Sequence, residues 1–511
     1  MRFRDPTVLL LLATCVVWGG CDSESVGPDE PEEQPEPARL EEAAATIRAA
    51  EAARRVGVLA HDSLRGRQSI RPEIESAARY LIDELEAAGF EPSGSEGFIH
   101  RFELEYIVRD EAASSLEALA ADVPLEHGRD YVLIPSLQDD EQDVTGELLW
   151  AGPVEAAEPD PEAMNGRIVL YDAPVTDPDV GLIERLQSAW IATQEDAAAV
   201  ALVLPAAFTE AEINRTVSLT RRVPGVLPTL FVTEAAAAAL VTAAGTDLAT
   251  LRAGGDPRVV ELSLRVRGSY RTVAATPPNV AALLRGSDPD LRDEYVALSA
   301  HYDHLGTGFP DLEGDSIFNG ADDDASGVAT VLAIAEALAD VNRAPARSVL
   351  VLLTSGEEWG KVGSTAFVRN PTVPAEAMVA NLAFDMVGRN DPGEIIGSGL
   401  AYSTIGDRLS AVAAERSEAG LTVVAEDPDA GLYLSSDNVA FACDGIPALL
   451  LTSGIHEDYH RPSDEVDLLN PDKIARVATL GFYLAWDLAD SAESPAWTAA
   501  GETITAELSC R

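Results

Sequence analysis

The sequence predicts an α/β protein: an open, mostly parallel sheet flanked by helices, with a smaller α/β unit inserted into it. Three observations lead there. From about Asn279 onward, near-continuous apolar runs (YVALSAH, SVLVLLTSG, VANLAFDMVG, IPALLLTSG) alternate with helical stretches such as GVATVLAIAEALADV. Runs of that kind suit central strands buried on both faces, and the alternation suits helices on both sides of one sheet. Residues from about 130 to 265 follow another rhythm, in which short β-type runs (GELLWAG, GRIVLYDA, AVALVLP, PTLFVTE) are punctuated by Ala-rich stretches, Pro and Gly. Finally, His, Asp and Glu concentrate where the later apolar runs end.

Taken in chain order, Arg2 and Arg4 precede an apolar stretch from Val8 to Val17, and Gly19-Gly20-Cys21 closes it. Residues 1–21 are therefore expected to be an export signal. The small-small-Cys ending resembles a bacterial lipoprotein cleavage box with Cys21 lipidated. The expected location is periplasmic or extracellular, anchored to a bacterial membrane through Cys21 alone. Residues 22–38 are acidic and Pro-rich and read as an unordered tether. Residues 39–125 begin the main unit with two helical patterns between Leu40 and Ala88, stopped by Gly89. The insert is expected over 126–270, the rest of the main unit over 271–495 and a C-terminal tail over 496–511.

Composition narrows the partners. The chain has 511 residues with 36 Lys and Arg against 86 Asp and Glu, a net charge of −50. Nucleic acid is excluded as an expected partner, because phosphate contacts need basic stripes. An acidic surface of this kind repels itself, and added salt screens the repulsion. Of the four cysteines, Cys443 and Cys510 remain if Cys15 is cleaved away and Cys21 is lipidated. Pairing and free thiols both stay open for them. Oligomeric state is not legible.

In open α/β sheets, ligands bind at the carboxyl ends of the strands. YVALSA ends in HYDH (301–304), SVLVLLTSG in Glu357-Glu358, VANLAF in Asp385, and IPALLLTSG in a loop holding His456, Tyr459 and His460. GADDDASG (320–327) lies between the first two and leads into a helix. Four of the chain's seven His fall in two of these loops. Each piece alone is ordinary; together they predict a metal centre. All-nitrogen and oxygen ligation suits zinc, with cobalt or manganese as substitutes.

The ordered motifs AHYDHLG, NGADDDASG, SGEEWGKVGS, FDMVGR and DYHRPSDEVD resemble the co-catalytic zinc peptidases, a family that includes leucyl-type aminopeptidases, glutamate carboxypeptidase and transferrin receptor. The resemblance covers about 39–105 and 275–490, and the insert resembles a protease-associated domain. It implies two Zn²⁺. His301 and Asp385 would serve one and Glu358 and His460 the other, with Asp323 bridging and joined to Asp324 by a cis peptide. Three carboxylates and a bridging hydroxide then balance the two ions' charge. Asp303 would orient His301, and Asp464 would orient His460. Glu357 would be the general base and Tyr459 would steady the oxyanion. Asn438 stands in SSDNVAF where the family often has His. The implied activity is hydrolysis of N-terminal peptide bonds of peptides or proteins; the alternative is a carboxypeptidase or dipeptidase. Tyr402, Tyr433 and Trp359 are candidate pocket residues.

Overall fold

A computed structural model describes residues 36–508, except 111, 128, 135–140, 155–159, 173–188, 190–192, 194–196, 205–226, 255, 309–313, 418–419 and 428–430. The expected export signal and most of the tether lie outside the described residues. The end of the tether is corrected, because a helix already spans Glu36–Ala44. Pro37 is no obstacle there, since a first helical turn has no intrahelical use for its N–H.

Among the described residues the main sheet has nine strands. Its path runs Glu91–Pro92, Pro278–Leu284, Ser348–Thr354, Tyr295–His301, Met378–Phe384, Ala448–Thr452, Glu394–Ser398 and Thr422–Ala425, with Ile99–Arg101 beside the second. The four strands from Ser348–Thr354 to Ala448–Thr452 are mutually parallel. The strands flanking that block are antiparallel to it. Three of the four are buried at every residue, which is why their apolar runs are unbroken.

Alternate side chains build two cores. Val296, Leu298 and Ala300 face the helices Ala49–Leu59, Glu73–Ala87, Gly327–Asp340 and Pro471–Asp490. Tyr295 and Ala297 face Phe367 and Phe441, from Val362–Arg369 and Asn438–Cys443. The helix Pro471–Asp490 starts where it does because Asn470 caps the amide of Lys473 and Pro471 fits the first turn.

Among the described residues the second sheet has eight strands, and it has its own cores. Ile168–Asp172, Ala199–Leu204 and Thr229–Thr233 run parallel in its middle. This sheet starts earlier than the expected boundary at 126, because Leu104–Arg109 and Ser115–Leu119 both belong to it, and it runs past 270 to Ala275. The cause is the 18-residue strand Arg258–Ala275, which is long enough to pair with both segments and with Glu141–Pro153.

One turn ties the N-terminal helices to a small two-stranded ribbon, Gly306–Thr307 with Ile317–Phe318. Gly66 has φ +68, and a Cβ there would lie 2.3 Å from the Gly306 carbonyl oxygen and 2.4 Å from that of Phe318. Gly66→Ala therefore combines a left-handed backbone penalty with a collision against backbone that cannot swing away. The expected cost is about 3 kcal/mol, read as a lower denaturant midpoint.

Candidate metal centre

Register brings the expected donors to one edge. His301 pairs level with Thr354 across the parallel ladder, so the Glu357-Glu358 loop starts beside it. On the other side Ser299 is level with Ala383, which puts Asp385 opposite His301. The Asp322-Asp323-Asp324 turn arrives from the helix Gly327–Asp340, and His460 from the loop after Ala448–Thr452.

Two sets of donors result. His301, Asp323 and Asp385 form one; His304, Asp323, Glu358 and His460 form the other. In the first, His301 Nε2 lies 3.2 Å from Asp323 Oδ1 and 3.6 Å from Asp385 Oδ1. In the second, His460 Nε2 lies 3.0 Å from Asp323 Oδ2 and 3.2 Å from Glu358 Oε1. The two oxygens of Asp323 thus turn to different sets. Donors about 2.0–2.3 Å from one tetrahedral ion sit roughly 3.3–3.7 Å apart, so these spacings fit a shared cation. Asp323 Oδ2, Glu358 Oε1 and Asp385 Oδ1 are buried and make no hydrogen bond. Such atoms are costly unless something charged satisfies them. The donor chemistry and the unsatisfied lone pairs both fit divalent metal ions.

Electrostatics keep Asp323 and Glu358 ionised. Burial by itself raises Asp323, but the imidazoles of His304, His301 and His460 outweigh it and hold the group well below the usual carboxylate range. Burial is likewise outweighed at Glu358, chiefly by His460, and its carboxyl sits at about 2. Glu357 behaves oppositely. Burial pushes it well above the ordinary range, and the charges of Glu358 and Asp437 add to the rise against the pull of His301 and Lys361.

The supporting residues are partly as expected. Asp303 stands behind His301: its carbonyl oxygen is 3.2 Å and its carboxylate 3.8 Å from Nδ1. The same carboxylate accepts Ser69 Oγ at 2.6 Å and the Glu357 amide at 3.2 Å, which links two of the loops. Asp324, cis to Asp323, accepts the amides of His301, Gly327 and Met386. Asp464 corrects an expectation. Its carboxylate accepts the amides of Asp322 and Asp323, so it holds the bridging turn and not the His460 ring. Tyr459 stacks on His460, ring centroids 3.8 Å apart.

Two residues with a place in the centre were missed. His304 was read only as part of HYDH, whose second His three residues on was the available signal. Arg67 gave none: its fully buried guanidinium donates to the carbonyls of Leu59, Tyr302, Asn319 and Gly320, and so clamps the His301 loop to the Asp323 loop. Burial lowers it to about 10, against the pull of Asp323 and Asp303.

A cavity of about 200 Å³ opens beside the centre, lined by His301, Asp323, Glu357, Asp385 and Tyr459 together with Met386, Leu432, Leu450 and Ile455. The expected pocket aromatics are elsewhere. Tyr433 is buried against Tyr402 in the core under the sheet, and Trp359 packs edge-on against Tyr106 of the second sheet. Asn438 donates to the Tyr433 carbonyl. Cys443 is disulfide-bonded; Cys510 lies outside the described residues.

A buried nest of imidazoles and carboxylates around a shared aspartate, at the carboxyl edge of an open α/β sheet, defines a metal-dependent hydrolase. Residues 279–485 match the model of peptidase family M28. Over that stretch, about two fifths of the chain, the protein is similar to peptidase family M28. A probable zinc metalloprotease of Pyricularia oryzae is 37% identical over 114 residues, 22% of this chain and 21% of the relative. A vacuolar membrane protease of Pyrenophora tritici-repentis is 31% identical over 113 residues, 20% of this chain and 11% of the relative. A probable leucine aminopeptidase of Arthroderma benhamiae is 26% identical over 220 residues, 42% and 58% of the two chains. The matches thus span between about a tenth and three fifths of these relatives' lengths. Among solved structures, an aminopeptidase from Aneurinibacillus sp. strain AM-1 superposes with a TM-score of 0.58 at 19% identity, over 89% of this chain and 97% of the other, which shows the zinc-exopeptidase fold.

The expected location on a bacterial membrane is overturned by these comparisons. The curated relatives named above are fungal, and among them are vacuolar membrane proteases. Among the described residues, no helix is long and apolar enough to cross a membrane.

Proposed function

We propose that the chain is a two-metal aminopeptidase that removes N-terminal residues from peptides. The observation that carries this reading is the chemistry of the cavity wall. Among the described residues it presents Asp323, Asp385 and Glu357 and neither Arg nor Lys. A carboxypeptidase must receive a carboxylate and needs a cationic side chain there; with Asp323 and Asp385 given to the metals, the described wall offers none, which favours a substrate that enters by its free amine. The apolar part, Met386, Leu432, Leu450 and Ile455, takes the first side chain.

Bound divalent ions would polarise the scissile carbonyl and make water acidic enough to react near neutral pH. The chain's own residues do the rest. Glu357 lies on the cavity wall outside both donor sets, and its raised affinity for a proton suits it to take one from the attacking water and pass it to the departing amine. Tyr459, fixed by stacking on His460, turns toward the cavity and steadies the developing oxyanion. Asp303 keeps the His301 and Glu357 loops in register. The second sheet borders the catalytic loop where Tyr106 meets Trp359, and it shapes access to the cleft, the role of a protease-associated insert.

The test is a panel of aminoacyl chromogenic substrates beside N-terminally blocked peptides with a free carboxyl end. Aminoacyl substrates with aliphatic side chains are expected to be cleaved, blocked peptides to be spared, and chelator to stop turnover until zinc, cobalt or manganese is restored. Cleavage of the blocked peptides alone identifies a carboxypeptidase instead. Turnover that survives exhaustive chelation removes the metal from the reading.

A further inference from the structure

We infer that the two ions are inequivalent: His304 closes the coordination of one, while the other faces the substrate cavity with a position to spare. The inference rests on the two-metal reading above and deepens it.

The first ground is the count of donors. His304, Asp323, Glu358 and His460 offer four atoms mutually within reach, whereas His301, Asp323 and Asp385 offer three. Four protein donors complete a tetrahedral zinc site, the arrangement of structural ions; catalytic sites keep three and admit an outside ligand.

The second ground is how His304 is held. The residue is fully buried, and neither ring nitrogen makes a hydrogen bond. A buried imidazole that makes no well-formed hydrogen bond calls for something else to satisfy it. Its Nδ1 lies 2.8 Å from Glu358 Oε1 and 3.7 Å from Asp323 Oδ2, the same two atoms that His460 Nε2 approaches at 3.2 and 3.0 Å. The backbone makes room for the ring. Gly320 has φ +58, and a Cβ there would fall 2.5 Å from the ring's Cγ. Any other residue at 320 would collide with the Asp323 carbonyl oxygen, at 2.2 Å, as well as with the ring.

The third ground is independent of His304. The cavity is walled by every member of the three-donor set, and from the four-donor set it touches only the shared Asp323. Glu358, His460 and His304 lie behind that wall, at most 7% exposed. The three-donor ion is therefore the one that meets substrate, and the four-donor ion anchors the bridging carboxylate from behind.

A lesser role for His304 would be to donate Nδ1–H to Glu358 and merely orient it. Cobalt titration of the metal-free full-length protein separates the two roles. In the wild type, two equivalents are expected to bind in two steps, the first with the intense visible absorption of four-coordinate Co²⁺. His304→Gln and His304→Phe are both expected to weaken that first step at least about 10-fold, abolish its intense band and leave the second step within about 3-fold. Circular dichroism checks that the fold persists. Glutamine can still donate a hydrogen bond to Glu358 but is a poor zinc ligand. Recovery of the tight step in His304→Gln but not in His304→Phe would therefore overturn the assignment, as would two unaltered steps in both variants. Should a variant unfold, the wild-type spectrum still decides, because a weak first-step absorption typical of five or six ligands contradicts a closed tetrahedral site. A wild-type capacity of one equivalent is a different failure: it rejects the two-metal reading, and the inference falls with it.

Discussion

Glu357→Gln is expected to retain both metal ions and lose turnover by about 10²- to 10⁴-fold, equivalent to about 3–6 kcal/mol of transition-state stabilisation. The argument is positional. Glu357 and Glu358 are neighbours in sequence, yet only Glu358 joins a donor set, while Glu357 is half-buried on the cavity wall. The turn after Gly356, φ +77, sends one to the metals and the other to the space where water and the scissile bond must meet. Glutamine matches the shape of the side chain and preserves its packing, but it cannot accept a proton. The loop itself is held by backbone contacts that the substitution does not touch: the Glu357 amide on Asp303 and the Gly356 amide on Ser69. The measurement is kcat and KM on an aminoacyl substrate alongside metal content by mass spectrometry. A fall in kcat with KM and metal content unchanged is the expected pattern. Parallel loss of metal and rate would make Glu357 a ligand and not the base.

How much of this could be read in advance depended on where a side chain sits relative to the end of a strand. His301, Glu358 and Asp385 were legible because each ends, or closely follows, a buried parallel strand, and the ladder then fixes their relative heights. Asp323 was legible from its place before a helix within a distinctive acidic turn. Past the strand end the pattern loses direction. His304 returns to the centre only because the loop after His301 doubles back against Gly320, and nothing in residue spacing announces that. Asp464 was placed in the right neighbourhood with the wrong partner, since an acid near an imidazole and an acid under two amides look the same in sequence. Arg67 lay beyond reach, because its acceptors are four backbone carbonyls gathered from distant segments. The second sheet's true extent was hidden for a related reason: Leu104–Arg109 acquires its identity from pairing with Arg258–Ala275, some 150 positions later in the chain.

Asp323→Ala is expected to cost more than loss of any other donor, because Asp323 alone belongs to both sets. Removing Asp385 takes one of three donors from the cavity-facing ion and leaves the four-donor set intact, so Asp385→Ala should keep one equivalent of metal through gel filtration in dilute chelator. Removing Asp323 takes Oδ1 from beside His301 and Oδ2 from beside His460 in a single step. Each ion then loses a charged ligand, and the carboxylate between the two cations, which reduced their mutual repulsion, disappears. Both equivalents are expected to wash out, with turnover reduced by at least about 10⁴-fold. Asp323→Asn sharpens the point, since it restores an oxygen donor and the side-chain volume but not the charge. If bridging charge is what holds the pair, the asparagine variant also retains at most one equivalent. Two equivalents retained by either variant would mean that the two ions do not share this carboxylate, and the geometry that divides its two oxygens between His301 and His460 would have no functional meaning.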